Sequence, residues 1–244
     1  MIEPDYVETL CGIAERDGAD AVFCNHRLLY GKKYVQKKAR LPEGTYSFAD
    51  ISHIAIDDGT VTGILFGSVC MAAYRREAVQ SSDVLFDPAL KRNEDGIFNL
   101  CLLSHIKKFT VLPYDGYIYR QWKAQKKKAT FAWSVELEKA SDSIVKNCAD
   151  FADFEKQMQC RAVSVAFWNA MAACTSKGST ASVAKRLKEE LRAHPISEAT
   201  ESLDDGKLNR FKRILVNLLK EGKTFRFVFL MRYAYPILKK FIKR

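Results

Sequence analysis

The pattern of apolar residues changes character near residue 130, and the change limits the folds open to the chain. Ahead of it, short apolar runs alternate with amphipathic stretches; beyond Ala132 the spacing is helical throughout. Strands alternating with helices, then helices alone, point to an α/β domain with a mixed sheet followed by a C-terminal all-α extension. Residues 4–17 read as a helix: Pro4 suits a first turn, Val7, Leu10, Ile13 and Ala14 share one face, and Gly18 can close the C-terminus. Residues 19–26 read as a buried strand, continued over 27–34 as a hairpin through Gly31. The basic stretch 32–45, with Pro42 and Gly44, reads as a surface loop, and 46–56 as a helix stopped by Asp57-Asp58-Gly59. A short strand over 69–74 leads into a helical turn over 75–80.

The spacing predicts a helix over 93–106, with Asn93 as its cap and Phe98, Leu102 and Ile106 repeating at i+4. Residues 109–112 and 117–120 are strand-like. Further helices are expected at 134–148, 151–174, 180–193, 207–221 and 224–243. Two or three strands ahead of 130 are fewer than the usual five or six, so the sheet reads as part of a larger one. No internal repeat or low-complexity stretch is visible.

Charge is strongly segregated. Residues 207–244 carry twelve Lys/Arg against one acid, net +11, whereas the other 206 residues carry 27 basic and 28 acidic side chains, net −1. A near-neutral body argues against a nucleic-acid groove, and the basic segment argues for an anionic partner. Leu208, Phe211, Ile214, Leu215, Leu218 and Leu219 share one helical face, with Lys207, Arg210, Arg213, Asn217 and Lys220 off it. The stretch 224–243 is densely apolar and aromatic, broken by Arg226, Arg232 and Pro236. Such a segment suits an interfacial helix on anionic lipid; a helix packed on the body with a solvated basic face fits the same pattern.

The chain is long enough to bury a core without disulfides or metal. Its seven cysteines are odd in number and include no C-x-x-C, so they read as reduced core thiols of a cytosolic protein. His26, His53, His105 and His194 have no metal-ligand spacing. The stretch MIEPDYVETL has no basic region followed by an apolar one, so no secretory signal is read there. No run approaches the roughly 20 apolar residues of a membrane span.

Asn93-Glu94-Asp95-Gly96 is the sharpest local feature. Two acids opening a helix suit the macrodipole; they equally suit a carboxylate held at a pocket mouth as a general base. Asp57-Asp58-Gly59 and Asp204-Asp205-Gly206 read as turns, and Lys126-Lys127-Lys128 as a solvated loop rather than a phosphate clamp. Among Trp122, Trp133 and Trp168 a sugar-stacking platform is conceivable, with Trp168 better read as core.

The stretch 67–122 resembles the second half of bacterial family-2 (GT-A type) glycosyltransferases. The resemblance rests on an ordered set: Tyr74-Arg75-Arg76 at a helix start, Phe86-Asp87-Pro88, Glu94-Asp95, Val111-Leu112-Pro113, and Tyr117-Ile118-Tyr119-Arg120. Residues 2–26 resemble the family segment that follows its acidic D-x-D motif. The resemblance implies a partial GT-A-like mixed sheet with flanking helices over 1–130, the acceptor-side part. A helical extension over 131–206 and a basic amphipathic segment over 207–244 follow it. It also implies transfer of a sugar from a nucleotide-sugar to a hydroxyl of a glycan or lipid-linked acceptor, as in cell-surface polysaccharide assembly. Asp95 takes the family's base position, with Glu94 orienting it or binding hydroxyls. Arg75, Tyr119, Arg120 and Trp122 are the substrate-side residues. The nucleotide-binding half and the D-x-D would precede Met1, so this chain brings no metal ligands of its own; Mg²⁺ or Mn²⁺ is expected only in a full-length member. The expectation is a truncated enzyme, inactive alone, in the cytoplasm and peripheral on the inner membrane face. The rival expectation is a non-catalytic glycan-, membrane- or partner-binding protein of glycosyltransferase descent.

Overall fold

A computed structural model describes residues 1–121, 133–148 and 151–236, and for Trp133, Ser134 and Glu136 the backbone alone. The chain divides into two compact units, each taken by itself below. Among the described residues the first holds 1–56, 64–121, 139–148 and 151–154; the second holds Asp57–Gly63, 133–138 and 155–236.

In the first unit, α1 (Tyr6–Asp17) ends at Gly18 in the left-handed conformation, φ +57°. Its buried residues are Tyr6 and Leu10, while Val7, expected on the apolar face, is 60% exposed. The face is turned because the Tyr6 hydroxyl is drawn inward, donating to the Cys70 carbonyl. β1 (Ala21–Tyr30) turns through Gly31, φ +61°, into β2 (Lys33–Lys37). The expected loop over 32–45 is therefore corrected: it carries β2 and most of β3 (Gly44–Tyr46). The expected helix over 46–56 shrinks to α2 (Phe48–Ile51), opened by a capping box in which Ser47 and Asp50 satisfy each other's backbone.

β4 (Ala72–Tyr74), α3 (Arg76–Ser82), α4 (Glu94–His105) and β5 (Phe109–Gln121) follow. β5 is one strand where two were expected. The pairing steps from Cys24↔Leu112 to His26↔Tyr117, so Pro113–Gly116 form a bulge that breaks the apolar alternation without ending the strand. The sheet has five strands in the order β2-β1-β5-β3, more than the two or three expected. β1 runs parallel to β5; its other edge is shared by β4 at Ala21–Phe23 and by β2 at His26–Tyr30, both antiparallel. Residues 1–3 lie along the far edge of β5, where the Glu3 amide donates to the Gly116 carbonyl at 2.9 Å.

Phe109, Leu100, Leu102, Leu103, Ile51, Ile56 and Ile144 are fully buried in this unit. The reading of all seven cysteines as reduced core thiols is corrected. Cys101 of α4 is bonded to Cys148, just past α5 (Trp133–Asn147), and Cys11 and Cys70 are exposed. The two partners are 47 residues apart; only the fold brings them together. Burial pushes the buried thiols up, Cys24 and Cys160 to about 11 and Cys174 to about 12.

The second unit packs α6 (Phe154–Ala173), α7 (Thr180–Ala193), α8 (Arg210–Lys220), α9 (Thr224–Phe229) and a π-turn over Leu230–Ala234. Val61, Phe167, Leu187, Leu215, Phe227 and Val228 share its core. The described part of the basic segment is built into that core. Leu208, Leu215, Val216 and Leu219 are buried, the Lys212 ammonium donates to the Thr60 and Val61 carbonyls, and Arg232 donates to the carbonyls of Cys174, Ser176 and Gly178. Ile214, expected on the apolar face, is exposed, and Val216 is buried instead. Trp168 is 49% exposed while its neighbour Phe167 fills the core, which corrects the core reading of Trp168. The two Asp-Asp-Gly turns meet: the Asp204 amide donates to the Gly59 carbonyl at 3.1 Å. Asp57 is buried, accepting from the Gly59 and Gly63 amides and the Ser164 hydroxyl, and its charge offsets part of the cost of burying Arg161.

Candidate functional site

The start of α4 is shaped by what presses on it. A Cβ on Gly96 would stand 3.3 Å from Ile64 Cδ1 and 3.4 Å from Gly67 Cα, so a larger residue there would make the segment 64–67 give by a few tenths of an ångström. Asn99, fully buried one turn on, donates to the Phe66 and Ser68 carbonyls at 2.9 and 3.1 Å and accepts from the Tyr74 hydroxyl at 2.6 Å. These bonds tie 66–74 to the helix. Asn93 takes the left-handed conformation, φ +59°, and its side chain makes no capping bond, contrary to the sequence expectation. Glu94 and Asp95 are half-buried, and Asp95 Oδ2 accepts from the Val69 amide at 3.3 Å. Burial first, and the Asp95 charge second, push the Tyr74 phenol above its ordinary value. The result is a carboxylate held by backbone and neighbours with part of its surface open.

The other sequence-derived site residues are spread along β1. The Arg75 guanidinium lies 3.9 Å from Asp20 and 3.5 Å from the Ala19 carbonyl, level with the first residue of β1. Tyr119 and Arg120 are exposed on β5 opposite Leu28 and Leu29, with Arg120 Nη2 against Met1 Sδ at 2.9 Å. At about 3.3 Å per residue that separates Arg75 from Arg120 by roughly 30 Å along the strand. Asp95 holds Val69, close in sequence to Met71, whose carbonyl accepts from the Cys24 amide of β1. Glu94 and Asp95 are thus together, Tyr119 and Arg120 are together, and Arg75 stands apart. Trp122 and Lys126-Lys127-Lys128 lie outside the described residues.

One lining was missed by the sequence reading. A groove of about 470 Å³ runs between 36–43 and the bulge of β5, with Asn25, Val111, Leu112 and Pro113 at its base. Asn25 is buried at the irregularity in β1, and its Oδ1 accepts from the Ala39 amide at 2.7 Å. The signal for it was the basic run 32–40, read only as loop.

Among the described residues no group of three or more His, Cys, Asp or Glu side chains could hold a metal ion. No step below is assigned to a metal. No described helix is long and apolar enough to cross a membrane.

No family model matches the sequence, and no curated protein does. Solved structures do match. S. aureus TarS 1–349 in complex with UDP-GlcNAc superposes with a TM-score of 0.52 at 12% identity, covering 96% of this chain and 64% of that one. The fold is glycosyltransferase-like. TarS 1–349 in complex with UDP gives a TM-score of 0.53 at 12% identity and 63% of that chain; the longer TarS structure gives 0.53 at 11% and 38%. The chain therefore spans less than two thirds of these proteins. At such identity the likeness concerns the course of the backbone.

Proposed function

We propose that this chain is the acceptor-side part of a glycosyltransferase moving a sugar from a nucleotide-sugar to a hydroxyl of a glycan or lipid-linked acceptor in cell-surface polysaccharide assembly. The observation that carries the reading is Asp95. In a fold shared with a structure that holds UDP-GlcNAc, a half-buried carboxylate stands at a helix start with its oxygen on a backbone amide of another segment. In the proposed step the acceptor oxygen attacks the anomeric carbon. The bond from that carbon to the diphosphate breaks, and its electron pair leaves with the diphosphate. The hydroxyl proton passes to Asp95. Glu94 orients Asp95 or binds acceptor hydroxyls, and Tyr119, Arg120, Trp122 and Arg75 are the substrate-side residues of this reading. In this reading 1–130 is the acceptor-side domain, 131–206 a helical extension and 207–244 a basic segment. In a full-length form that carries the nucleotide-binding half, Asp95→Asn keeps the shape but cannot take a proton, so turnover should fall about 10²–10⁴-fold with donor affinity little changed. Near-normal turnover in an active preparation would return Asp95 to a helix-start role.

The same proposal gives 207–244 an anionic membrane surface as partner. In its support, a cleft of about 610 Å³ in the second unit is lined by Lys185, Lys188, Lys223 and Arg226 with the single acid Glu221. Phe225 borders it, and Phe225, Phe229 and Tyr233 are each just over half exposed at i, i+4 spacing. Cations beside exposed aromatics suit an anionic interface. Deleting the segment would strip core helices, so the test is substitution: Phe225→Ala with Phe229→Ala should cut sedimentation with anionic vesicles at least tenfold. Unchanged pelleting, or equal pelleting with neutral vesicles, rules the partner out.

A further inference from the structure

We infer that the groove between 36–43 and the bulge of β5 is a subsite for an anionic saccharide, a sugar bearing a phosphate or a carboxylate, on the acceptor side of the proposed reaction. The inference rests on the glycosyltransferase reading for the word acceptor, and on the groove alone for the ligand class.

Position comes first. Arg40 lines the groove and donates from Nη1 to the Ile64 carbonyl at 3.3 Å. Ile64 in turn is the residue that presses on Gly96, next to Asp95. The groove wall and the candidate base are therefore fixed to the same short segment, and the groove face of the sheet, which carries Asn25 and Val111, is the face on which Phe23 meets Phe66 and Phe109.

The lining then selects chemistry. Pro113, Leu41 and Pro42 offer an apolar floor of the kind that receives the C–H face of a pyranose. Asn25 has its Oδ1 engaged by the Ala39 amide, which leaves its NH₂ as the hydrogen-bonding group for a ligand oxygen. From Gly31 to Pro42 the sequence carries Lys32, Lys33, Lys37, Lys38 and Arg40 and no acid. Lys38 and Arg40 reach the lining, against Glu43 alone. Such a rim favours an anion and raises its local concentration. No aromatic ring lines the groove among the described residues, so it lacks the stacking surface that a nucleobase seeks. A sugar phosphate or a uronic acid fits all of these conditions; a neutral sugar fits only the floor.

The test is calorimetric titration of the whole chain, without donor, using glucose 6-phosphate, glucuronic acid, glucose and inorganic phosphate. Glucose 6-phosphate, glucuronic acid or both should bind at least tenfold more tightly than glucose and than inorganic phosphate, and which of the two binds identifies the anionic group. Lys38→Ala should weaken that binding at least fivefold, while Lys32→Ala with Lys33→Ala, in the same run but outside the lining, should change it less than twofold. Unaltered melting temperatures would show that both variants fold. Binding of neither sugar overturns the inference, as does binding of inorganic phosphate equal to that of the sugars, or equal loss in the two variants. Failure here leaves the Asp95→Asn result on transfer untouched; a normal Asp95→Asn turnover with sugar binding intact removes the word acceptor and leaves the saccharide subsite.

Discussion

Helices α7 and α8 begin as their residues lead one to expect, and α4 does not. Ser179 accepts from the Ser182 amide at 3.1 Å and Asn209 from the Lys212 amide at 2.8 Å, each in extended backbone just ahead of the helix. Asn93 stands in the corresponding position of α4 but adopts φ +59° and caps nothing with its side chain. The two acids that follow are a good electrostatic match for a helix start, yet Asp95 spends an oxygen on Val69, outside the helix. Where a segment abandons a local rule that it could have satisfied, the departure marks a place shaped by something other than stability. The second unit shows that this chain caps helices in the ordinary way when nothing else is asked of them.

The comparison can be broken at several points. The largest expected effect is kinetic, in a full-length form that carries the nucleotide-binding half: Asp95→Asn should cost about 10²–10⁴-fold in turnover while Ser179→Ala costs none, and thermal melting should reverse the order. Equal behaviour of the two variants in both assays would erase the distinction. Next is Gly96→Ala, whose methyl would meet Ile64 and Gly67 at 3.3 and 3.4 Å. Overpacking of that kind costs roughly 1–3 kcal/mol, readable by denaturant titration, and a neutral result would mean that 64–67 yields easily. Ser179→Ala and Asn209→Ala should each lose about 1 kcal/mol; losses below a few tenths would show that those caps contribute nothing. The smallest change is Asn93→Gly, which suits the left-handed backbone and should be neutral or stabilising by a few tenths of a kcal/mol. A clear loss there would show that the Asn93 side chain has a partner worth finding.

Much of the fold was legible where periodicity and punctuation agree. The hairpin through Gly31, the helix closed by Gly18, α4 and the succession of later helices all follow from apolar spacing and the residues at their ends. β2 and β3 were not legible, because edge strands rich in lysine carry little apolar alternation and read as loop. β5 read as two strands because a bulge looks like a turn when its partner is unseen. Glu94 and Asp95 were legible as a pair, but their use was not, because a cap and a base share one sequence pattern; the bond to Val69 and the conformation of Asn93 appear only in the fold. The groove was illegible for another reason. Asn25 and Lys38 are far apart along the chain relative to any motif window, and pairing across β1 and β2 creates their proximity.

The short segment Asp57–Gly63 has a consequence for how the molecule is made. It is clustered with residues that follow it by about a hundred positions; the bond between Ser164 and Asp57 spans 107 residues. During synthesis that segment emerges long before α6 exists, so the carboxylate destined to accompany Arg161 must wait in an unfinished environment. Closure over such a span is slow relative to local helix formation. A fragment cut to contain only the later helices would hold Arg161 in an apolar interior without Asp57, an uncompensated charge of the kind that costs several kcal/mol. The later helices are therefore not a module that can be lifted out as one continuous piece; the seven residues 57–63, encoded well ahead of α6, travel with them.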